Sequence, residues 1–461
     1  MENKNNFNKV SGFSDIFSDE LSLTQKLDSK FFNFTALWGY EKIETPIIEK
    51  SSIFSRKTGS SIGSNIYNFT DPSGLDVSLR ADFTTSIMRS YLENNFTNNE
   101  MRFSYSGEIY RYDGDINNNY SRQNGVELIG SSNIYSDLEI IAMSKIFLSS
   151  VIHDDIKISM GHVGILQDVI KYFELNDRIG LFLLQNIDFI KNESSNEQII
   201  SRAEEHGIFF DKEVSVFNSS SDDISSLLNF AFHKDSKFQQ TRNSESIING
   251  LMNKLSKNIS KSKFSECLDV FRNLVNINGD LDYSISEANK ILSNIPVKNN
   301  LKNLYDLVNN LNYYEIDDSD VLINFGLVRE WGYYTGFVFD IYNGENVILG
   351  GGGRYDSLGN SLGESLPAAG FAVDSEKIIS NNNKSIKNTT NKKITVFIND
   401  EKDLNEAIMT CKEERSRGNI VSLKSSFANL DDAKKWSANN EVSEIIFFEN
   451  NKIIRSEIKL G

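Results

Sequence analysis

Hydrophobic positions near the start of the chain recur with the spacing of an amphipathic helix. Over residues 21–40 these positions are Leu23, Leu27, Phe31, Phe34 and Leu37. Gly39 follows them at a place where a helix can end. Strand-like patterns then cover residues 42–49, 65–70, 77–80, 101–111 and 125–130, before a helical pattern over residues 136–149. Strands and helices do not alternate regularly, so we predict an α+β fold with a mainly antiparallel sheet flanked by helices.

The middle of the chain has a different pattern. Residues 166–312 carry helical periodicity with very few Pro or Gly residues, which predicts a helical insertion. Strand patterns return at residues 321–328, 337–342 and 348–352. The polar, Asn-rich residues 380–393 have the composition of a linker. We therefore expect a core over residues 1–379 that contains the insertion, a linker at 380–393, and a small α/β domain at 394–461.

Charge and cysteine content narrow the function classes. The chain has 48 Lys and Arg against 64 Asp and Glu, a net charge of −16, so nucleic-acid binding would require a local basic surface. Cys267 and Cys411 lie far apart, and the four histidines show no metal-ligand spacing, so we expect neither a disulfide framework nor a metal. No stretch approaches the roughly 18 to 20 apolar residues of a membrane span, and no signal-peptide core is present. We expect a cytoplasmic protein.

Two strings in the later part of the core stand out. Four consecutive glycines precede Arg354 and Tyr355, and glycine permits close approach of a ligand or a neighbouring strand. The string is not a phosphate-binding loop, because the Gly-Lys-Ser/Thr of that motif is missing. Upstream, Arg329 precedes paired tyrosines, and strand alternation predicts that Tyr334 faces a pocket while Tyr333 packs away. Taken alone, the glycine string is also compatible with an ordinary loop or bulge. The paired tyrosines are also compatible with a place in the hydrophobic core.

Six short motifs occur in a fixed order along the chain. They are Gly-x-x-Asp (12–15), Leu-Arg-Ala-Asp-x-Thr (79–84), Arg-Tyr-Asp (111–113), Gln-x-Gly-Val-Glu-Leu-Ile-Gly (123–130), Leu-Val-Arg with Tyr-Tyr-Thr-Gly (327–336) and Gly-Gly-Arg-Tyr-Asp (352–356). Together they resemble the catalytic core of class II histidyl-tRNA synthetases over residues 10–380. The resemblance implies a class II antiparallel sheet flanked by helices, with the helical insertion in the family's place. Residues 394–461 resemble a degenerate anticodon-binding domain.

The resemblance implies that seven side chains surround a bound histidine. They are Asp82, Arg111, Gln123, Glu127, Arg329, Tyr334 and Tyr355. In the family pattern, Asp82 would receive the ammonium group, Arg329 would lie at the carboxylate, and the two tyrosines would contact the ring. Arg111 also matches the second-motif arginine that holds ATP.

Each of these residues has a structural alternative. Arg329 could form a bridge with Asp340 or Asp356, and Asp82 could cap the helix that begins near Thr84. The polar pair at positions 123 and 127 could be ordinary strand residues. Because a buried charge is costly without a ligand or partner, we favour the binding role for the set as a whole.

The positions expected to hold ATP depart from the synthetase pattern. After Asp113 no basic residue occurs until Arg122, Lys377 stands where synthetases carry an arginine, and Asp374 replaces a glycine. A triphosphate requires fixed positive charge, so these departures argue against adenylation. Two branches resemble the chain, namely true synthetases and the catalytically inactive regulatory subunit of ATP phosphoribosyltransferase. The departures favour the second.

We therefore predict a non-catalytic regulatory subunit without catalytic residues, cofactor or metal. It would mediate feedback inhibition by histidine at the first step of histidine biosynthesis and join the short-form ATP phosphoribosyltransferase catalytic subunit. It would form a homodimer through the core and bind histidine, but neither tRNA nor membrane, because residues 392–461 balance twelve Lys and Arg with twelve Asp and Glu. Two alternatives stay open: an active histidine–tRNA ligase, and a histidine-sensing module with another partner.

Overall fold

The computed structural model describes residues 9–55, 65–96, 100–112, 118–192, 195–208, 261–381 and 392–458, except positions 153, 207, 296, 298, 330, 331, 426, 428, 441, 450 and 451. The chain divides into two compact units. One comprises Met1–Ile165, Ile277–Lys290 and Val297–Gly461, and the other Leu166–Asn276 and Ile291–Pro296. The predicted linker at 380–393 lies mostly outside the described residues, and the predicted domain boundaries stay a prediction.

The described strands form three sheets. In chain order they are β1 (Glu41–Lys42), β2 (Ile48–Lys50), β3 (Asn68–Thr70), β4 (Asp76–Leu79), β5 (Met101–Tyr110), β6 (Tyr120–Ile129), β7 (Lys157–His162), β8 (Asn278–Gly279), β9 (Val321–Asn324), β10 (Phe337–Tyr342), β11 (Ile348–Arg354), β12 (Ala368–Asp374), β13 (Lys393–Ile398), β14 (Ile420–Lys424), β15 (Glu444–Glu449) and β16 (Lys452–Glu457). The central sheet has nine strands in the order β1-β5-β6-β12-β11-β10-β7-β9-β8. Its pairs are antiparallel except β1 with β5 and β7 with β9, which confirms the predicted sheet.

The described part of the chain also contains α-helices. They are α1 (Ser18–Leu37), α2 (Ser52–Ser55), α3 (Phe83–Glu93), α4 (Ile134–Val151), α5 (Val163–Tyr172), α6 (Asp177–Gln185), α7 (Ile187–Lys191), α8 (Asn196–Glu205), α9 (Lys261–Val275), α10 (Leu281–Ile291), α11 (Asn300–Asn310), α12 (Leu358–Leu362), α13 (Ser375–Ser380), α14 (Leu404–Ser416) and α15 (Leu430–Asn439). Side-chain caps set several starts: Asn133 accepts from the Ser136 amide at the start of α4. Among the residues with a described structure, none of the helices combines the length and apolar content needed to cross a membrane.

The β5–β6 hairpin fixes the direction of the polar residues on β6. Side chains alternate along a strand, so Gln123, Gly125 and Glu127 share one face of the sheet. The cross-strand partner of Gly125 is Tyr105 on β5, and the partner of Glu127 on the other side is Gly370 on β12. On this face of the sheet, the amide of Gln123 and the carboxyl group of Glu127 therefore lie next to glycines, which have no side chain.

The C-terminal part folds around a separate four-stranded sheet with the order β14-β13-β15-β16. Strands β13, β14 and β15 are parallel, as the predicted alternation of strands and helices requires, and β16 adds an antiparallel edge. This part is packed on the core. Arg102 donates to the carbonyl of Leu423 at 3.3 Å, and the Arg415 guanidinium lies 3.4 Å from the centre of the Trp38 ring.

Candidate functional site

A cavity of about 340 Å³ opens above the polar face of the central sheet. It is lined by residues of β5, β6, β10, β11 and β12, by the start of α3 and by the loop before β10. The side chains predicted for the histidine site all contribute to its wall: Asp82, Arg111, Gln123, Glu127, Arg329, Tyr334 and Tyr355. The structure thus brings together residues that are up to 273 positions apart in the sequence, from 82 to 355. Their binding of histidine stays a prediction.

Glu127 is the most deeply placed acid of the cavity, with 2% of its surface exposed. Thr84 Oγ1 donates to its Oε1 at 2.7 Å, and the Tyr355 hydroxyl donates to its Oε2. Burial raises the pKa of this carboxyl to about 8, and the hydroxyl donors only partly offset that effect. At neutral pH without ligand the carboxyl is therefore mainly protonated, and a ligand cation or N–H group would favour its ionised form.

Asp82 combines a structural role with its place in the cavity. It caps α3 by accepting from the Thr85 amide at 2.7 Å and from Thr85 Oγ1 at 3.1 Å. Burial raises the pKa of Asp82, while the Thr85 amide and the nearby Arg111 charge lower it. The capping alternative is therefore realised, with the helix starting at Phe83. The cap fixes the carboxylate at the cavity wall.

Arg329 is held in the cavity wall by Asp340. Its Nη1 pairs with Asp340 Oδ1 and donates to the Phe339 carbonyl at 3.3 Å. The structural bridge that the sequence permitted is formed with Asp340, whereas Asp356 pairs with Arg354. These contacts engage Nη1, and Tyr334 forms a further hydrogen bond with the guanidinium. The group has five N–H donors, so a bridged arginine can still meet an anion in the cavity.

The tyrosines follow the expected arrangement, with one addition at Tyr333. Tyr334 and Tyr355 line the cavity, and their rings meet edge to face at 6.4 Å. Tyr333 lines it too, with its ring 4.9 Å from that of Tyr334, but it is only 5% exposed and belongs to the buried core cluster, so it packs into the core as expected and also borders the cavity. Strand alternation does not apply there, because β10 begins only at Phe337.

Four polar side chains of the cavity wall were not predicted to lie there, which are Thr84, Tyr105, Tyr333 and Asp340, although Asp340 was named as a possible partner of Arg329. The cavity explains why glycines occur in the sheet below it. A Cβ on Gly351 would collide with the Arg329 guanidinium, and a Cβ on Gly370 would collide with the Glu127 carboxylate. The glycines therefore provide space for charged groups above the sheet. The pairing of Tyr105 with Gly125, which leaves space for the tyrosine ring, is the feature that could have indicated its place in the site.

The residues that the family resemblance places near ATP make local contacts. Arg122 binds Asp28 at 2.7 Å and also pairs with Glu108. Lys377 Nζ donates at 3.1 Å to the carbonyl of Ile348, a residue of the cavity wall. The described part of the second-motif region ends at Tyr112 and resumes at residue 118, so Asp113 lies outside the described residues.

Asp374 has a structural role that its charge alone did not reveal. It caps α13, and its Oδ1 accepts from the amides of Glu376 at 3.0 Å and Lys377 at 3.1 Å. A carboxylate at a helix start is stabilised by the helix dipole and by these amides. Its presence therefore does not by itself oppose nucleotide binding.

Comparisons with known proteins agree on the family. The sequence profile described as Histidyl-tRNA synthetase matches residues 12–188 and 243–378. A histidine–tRNA ligase of Sulfurisphaera tokodaii is 27% identical over 429 residues, which cover 90% of this chain and 85% of that protein. A histidine–tRNA ligase of Methanococcus vannielii is 27% identical over 466 residues, covering 98% and 95%.

Solved structures share the fold. A Bacillus halodurans protein described as an ATP phosphoribosyltransferase regulatory subunit/histidyl-tRNA synthetase has a TM-score of 0.59 at 21% identity, covering 97% of this chain and 99% of that one. A histidyl-tRNA synthetase from a Nostoc species has a TM-score of 0.56 at 15% identity, covering 98% and 97%. The class II synthetase-like fold with a C-terminal α/β domain is therefore confirmed.

The prediction of a regulatory subunit is wrong. The curated relatives from Sulfurisphaera, Methanococcus, Sulfolobus and Pyrococcus, at 27% identity and 80–98% coverage of this chain, are all named histidine–tRNA ligase. This finding overturns the assignment as a non-enzyme of histidine biosynthesis. It also overturns the expected ATP phosphoribosyltransferase partner and the expected absence of tRNA. The sequence profile spans more than half of the chain, so the chain belongs to the histidyl-tRNA synthetase family.

Proposed function

We propose that the chain is a histidine–tRNA ligase, which activates histidine with ATP and transfers it to tRNA. The observation that carries this proposal is the convergence, in one cavity, of the seven side chains expected to surround histidine. The names of the curated relatives support the same reaction. An amino-acid pocket alone does not distinguish a ligase from a sensor, so the proposal depends on both lines of support.

The cavity provides complementary groups for the ring and for the ammonium group of histidine. Glu127 would accept from a ring N–H, and ligand binding would favour its ionised form because burial raises its ligand-free pKa to about 8. Asp82 would face the ammonium group from its fixed position at the start of α3. Tyr334 and Tyr355 would enclose the ring, since their own rings meet at the cavity wall.

The first chemical step requires positive charge near the reacting phosphorus. A histidine carboxylate oxygen attacks the α-phosphorus of ATP, a P–O bond forms to the histidyl group, and the bond to pyrophosphate breaks. Arg329 and Arg111 both line the cavity and would stabilise the charge that develops on the phosphate oxygens. In the second step a ribose hydroxyl at the tRNA end takes the histidyl group, and AMP leaves. The burial of Glu127 limits the access of water to this part of the cavity, which would protect the activated intermediate.

The proposal includes a homodimer in the cytoplasm. Apolar side chains of the small sheet β2-β4-β3 and its turn remain at the surface, with Ile48 51%, Phe69 43% and Leu75 44% exposed. Burial of such groups against a second copy would be favourable. Sedimentation at micromolar concentration should give twice the chain mass, and a monomer at that concentration would contradict this part of the proposal.

Histidine-dependent exchange between pyrophosphate and ATP tests the activation step. We expect exchange with histidine and none above background with other amino acids, followed by formation of histidyl-tRNA when tRNA is added. Glu127→Gln should lose most of the exchange, and Glu406→Gln, the same replacement at an exposed position of α14, should retain it. A folded wild-type chain without histidine-dependent exchange would refute the proposal.

A further inference from the structure

Tyr105 on β5 is a buried residue of the cavity wall and is not one of the seven side chains expected to surround histidine. It is 1% exposed. Its cross-strand partner is Gly125, and a Cβ on Gly125 would collide with the Tyr105 hydroxyl. The hydroxyl therefore occupies the space that a side chain at position 125 would fill, on the same face of the sheet as Glu127.

The ring of Tyr105 is held by a stack of two further side chains. It lies on the Phe83 ring, with the ring centres 4.2 Å apart and the planes inclined by 20°. The guanidinium carbon of Arg80 lies 3.8 Å from the centre of the same Phe83 ring. Two groups this close to one ring centre would overlap if they shared a face, so Phe83 lies between Arg80 and Tyr105.

Arg80 anchors the stack through backbone carbonyls. Its Nη1 donates to the carbonyl of Thr45 at 2.7 Å, and its Nη2 donates to the carbonyl of Glu108 at 2.9 Å. A Cβ on Gly107 would lie 2.9 Å from the Phe83 ring and 3.1 Å from Arg80 Nη2, so the stack fills space that this glycine leaves open. Arg80 is 4% exposed, and the stack cannot move without breaking buried hydrogen bonds.

Three hydroxyl groups meet at the Glu127 carboxyl group in the described part of the chain. Thr84 Oγ1 donates to Oε1 at 2.7 Å, and the Tyr355 hydroxyl donates to Oε2. The Tyr105 hydroxyl forms a further hydrogen bond with the same carboxyl group. An ionised carboxylate offers about four lone-pair sites, so three donors leave about one for a ligand N–H. The direction of that remaining site depends on where the hydroxyl groups are fixed.

We propose that Tyr105 is a positioning residue of the histidine site, and that Phe83 and Arg80 hold its hydroxyl next to Glu127. The inference rests on the proposed binding of histidine at Glu127. The hydroxyl orients the carboxylate so that its remaining lone pair is directed at a ring N–H of the ligand. Without the hydroxyl the carboxylate gains rotational freedom, and ordering it on binding costs affinity.

A double-mutant cycle on histidine affinity tests the proposal with the full chain. Tyr105→Phe keeps the ring and its stack but removes the hydroxyl, and calorimetry should show histidine binding weakened about fivefold. In the Glu127→Gln background the same change should alter the affinity by less than about twofold, because the amide has one acceptor oxygen in place of two. Tyr305→Phe, the same replacement at an exposed position of α11, should bind histidine as the wild type does.

A second variant tests the stack. Phe83→Leu removes the ring on which Tyr105 lies and should weaken histidine binding about threefold or more. Phe147→Leu replaces a fully buried phenylalanine of α4 outside the cavity wall, so it should lower the melting temperature without changing histidine affinity. In pyrophosphate exchange, Tyr105→Phe should raise the KM for histidine about fivefold and leave the KM for ATP unchanged.

The outcomes separate this inference from the proposed function. Wild-type histidine affinity in Tyr105→Phe, or an equal loss in both backgrounds, would overturn the positioning role. Wild-type affinity in Phe83→Leu would overturn the role of the stack. A wild-type chain that binds histidine but catalyses no exchange would refute the ligase alone, and the cycle would still decide the role of Tyr105.

Discussion

The two halves of the candidate site are built differently. On the histidine side, Asp82 and Glu127 are 4% and 2% exposed, and Thr85 and Thr84 respectively already donate to them. On the nucleotide side, Lys377 is exposed at the surface. Buried groups with fixed partners hold one geometry, whereas an exposed lysine has a flexible stem and a movable charge.

This difference explains which inference from the sequence failed. A missing arginine on the exposed side does not mean that positive charge is missing, because Lys377 reaches the carbonyl of Ile348 at the cavity wall. An added acid does not mean repulsion either, because Asp374 is engaged by helix amides. We therefore expect the histidine side to tolerate less substitution than the nucleotide side. The following experiments examine this contrast.

The largest effect is expected where the two halves meet, at Arg329. The double variant Arg329→Gln with Asp340→Asn removes the cation without leaving its partner charged and buried. We expect histidine-dependent pyrophosphate exchange to fall by about 100-fold, because a fixed donor to the developing phosphate charge is lost. The single variant Asp340→Asn is the control and should retain exchange within about tenfold. Equal losses in the two variants would assign Arg329 a structural role only.

A smaller effect is expected from Glu127→Gln on histidine binding. The amide keeps the shape and an acceptor for Thr84, but it cannot become an anion opposite the ligand. Calorimetry should show histidine binding weakened by about 1.4 kcal/mol, or tenfold, with the exposed Glu406→Gln as the matched control. An affinity equal to that of the wild type would remove Glu127 from the site.

The same substitution makes the burial of Glu127 measurable through pH. Its carboxyl has a pKa of about 8 in the folded chain against 4.5 for the ordinary group, so the folded state binds the proton more tightly. The free energy of unfolding should therefore fall as pH rises from 4.5 towards 8 and level off above that value. Between pH 7 and pH 8 the wild type should lose about 1 kcal/mol more than Glu127→Gln in urea unfolding. Parallel pH profiles would show that the carboxyl ionises freely.

Regular elements of the fold were predictable from local pattern. β10 covers the predicted residues 337–342, and β5 ends one residue before the predicted boundary. The strand predicted over 321–328 ends at Asn324, where its side chain accepts from the Gly326 amide and starts a turn. Helix α4 begins two residues earlier than predicted because Asn133 caps it. Local contacts of this kind move boundaries without changing the fold.

The site was predictable only as far as motifs named its residues. The motif residues converge in the cavity, whereas Asp340 could be named only as one of two possible partners of Arg329, because no local pattern contains the pairing of β10 with β11 that places it there. The contacts of Asp374 and Arg122 were equally hidden, since charge in a sequence does not specify its partner. The incorrect regulatory assignment arose from counting charges without their contacts.

The smallest effect is expected on the exposed side, from Lys377→Arg. If Lys377 already contacts the phosphates of ATP through its flexible side chain, a planar guanidinium should bind them only slightly better. The KM for ATP in pyrophosphate exchange should then fall only about threefold. Lys302→Arg, the same replacement at an exposed position of α11, should leave that KM unchanged. Lys377→Met should raise it, because charge next to the Ile348 carbonyl is lost. A KM unaffected by both changes at position 377 would mean that Lys377 does not reach the nucleotide, so the positive charge at the phosphates would come from Arg111 and Arg329 in the cavity wall.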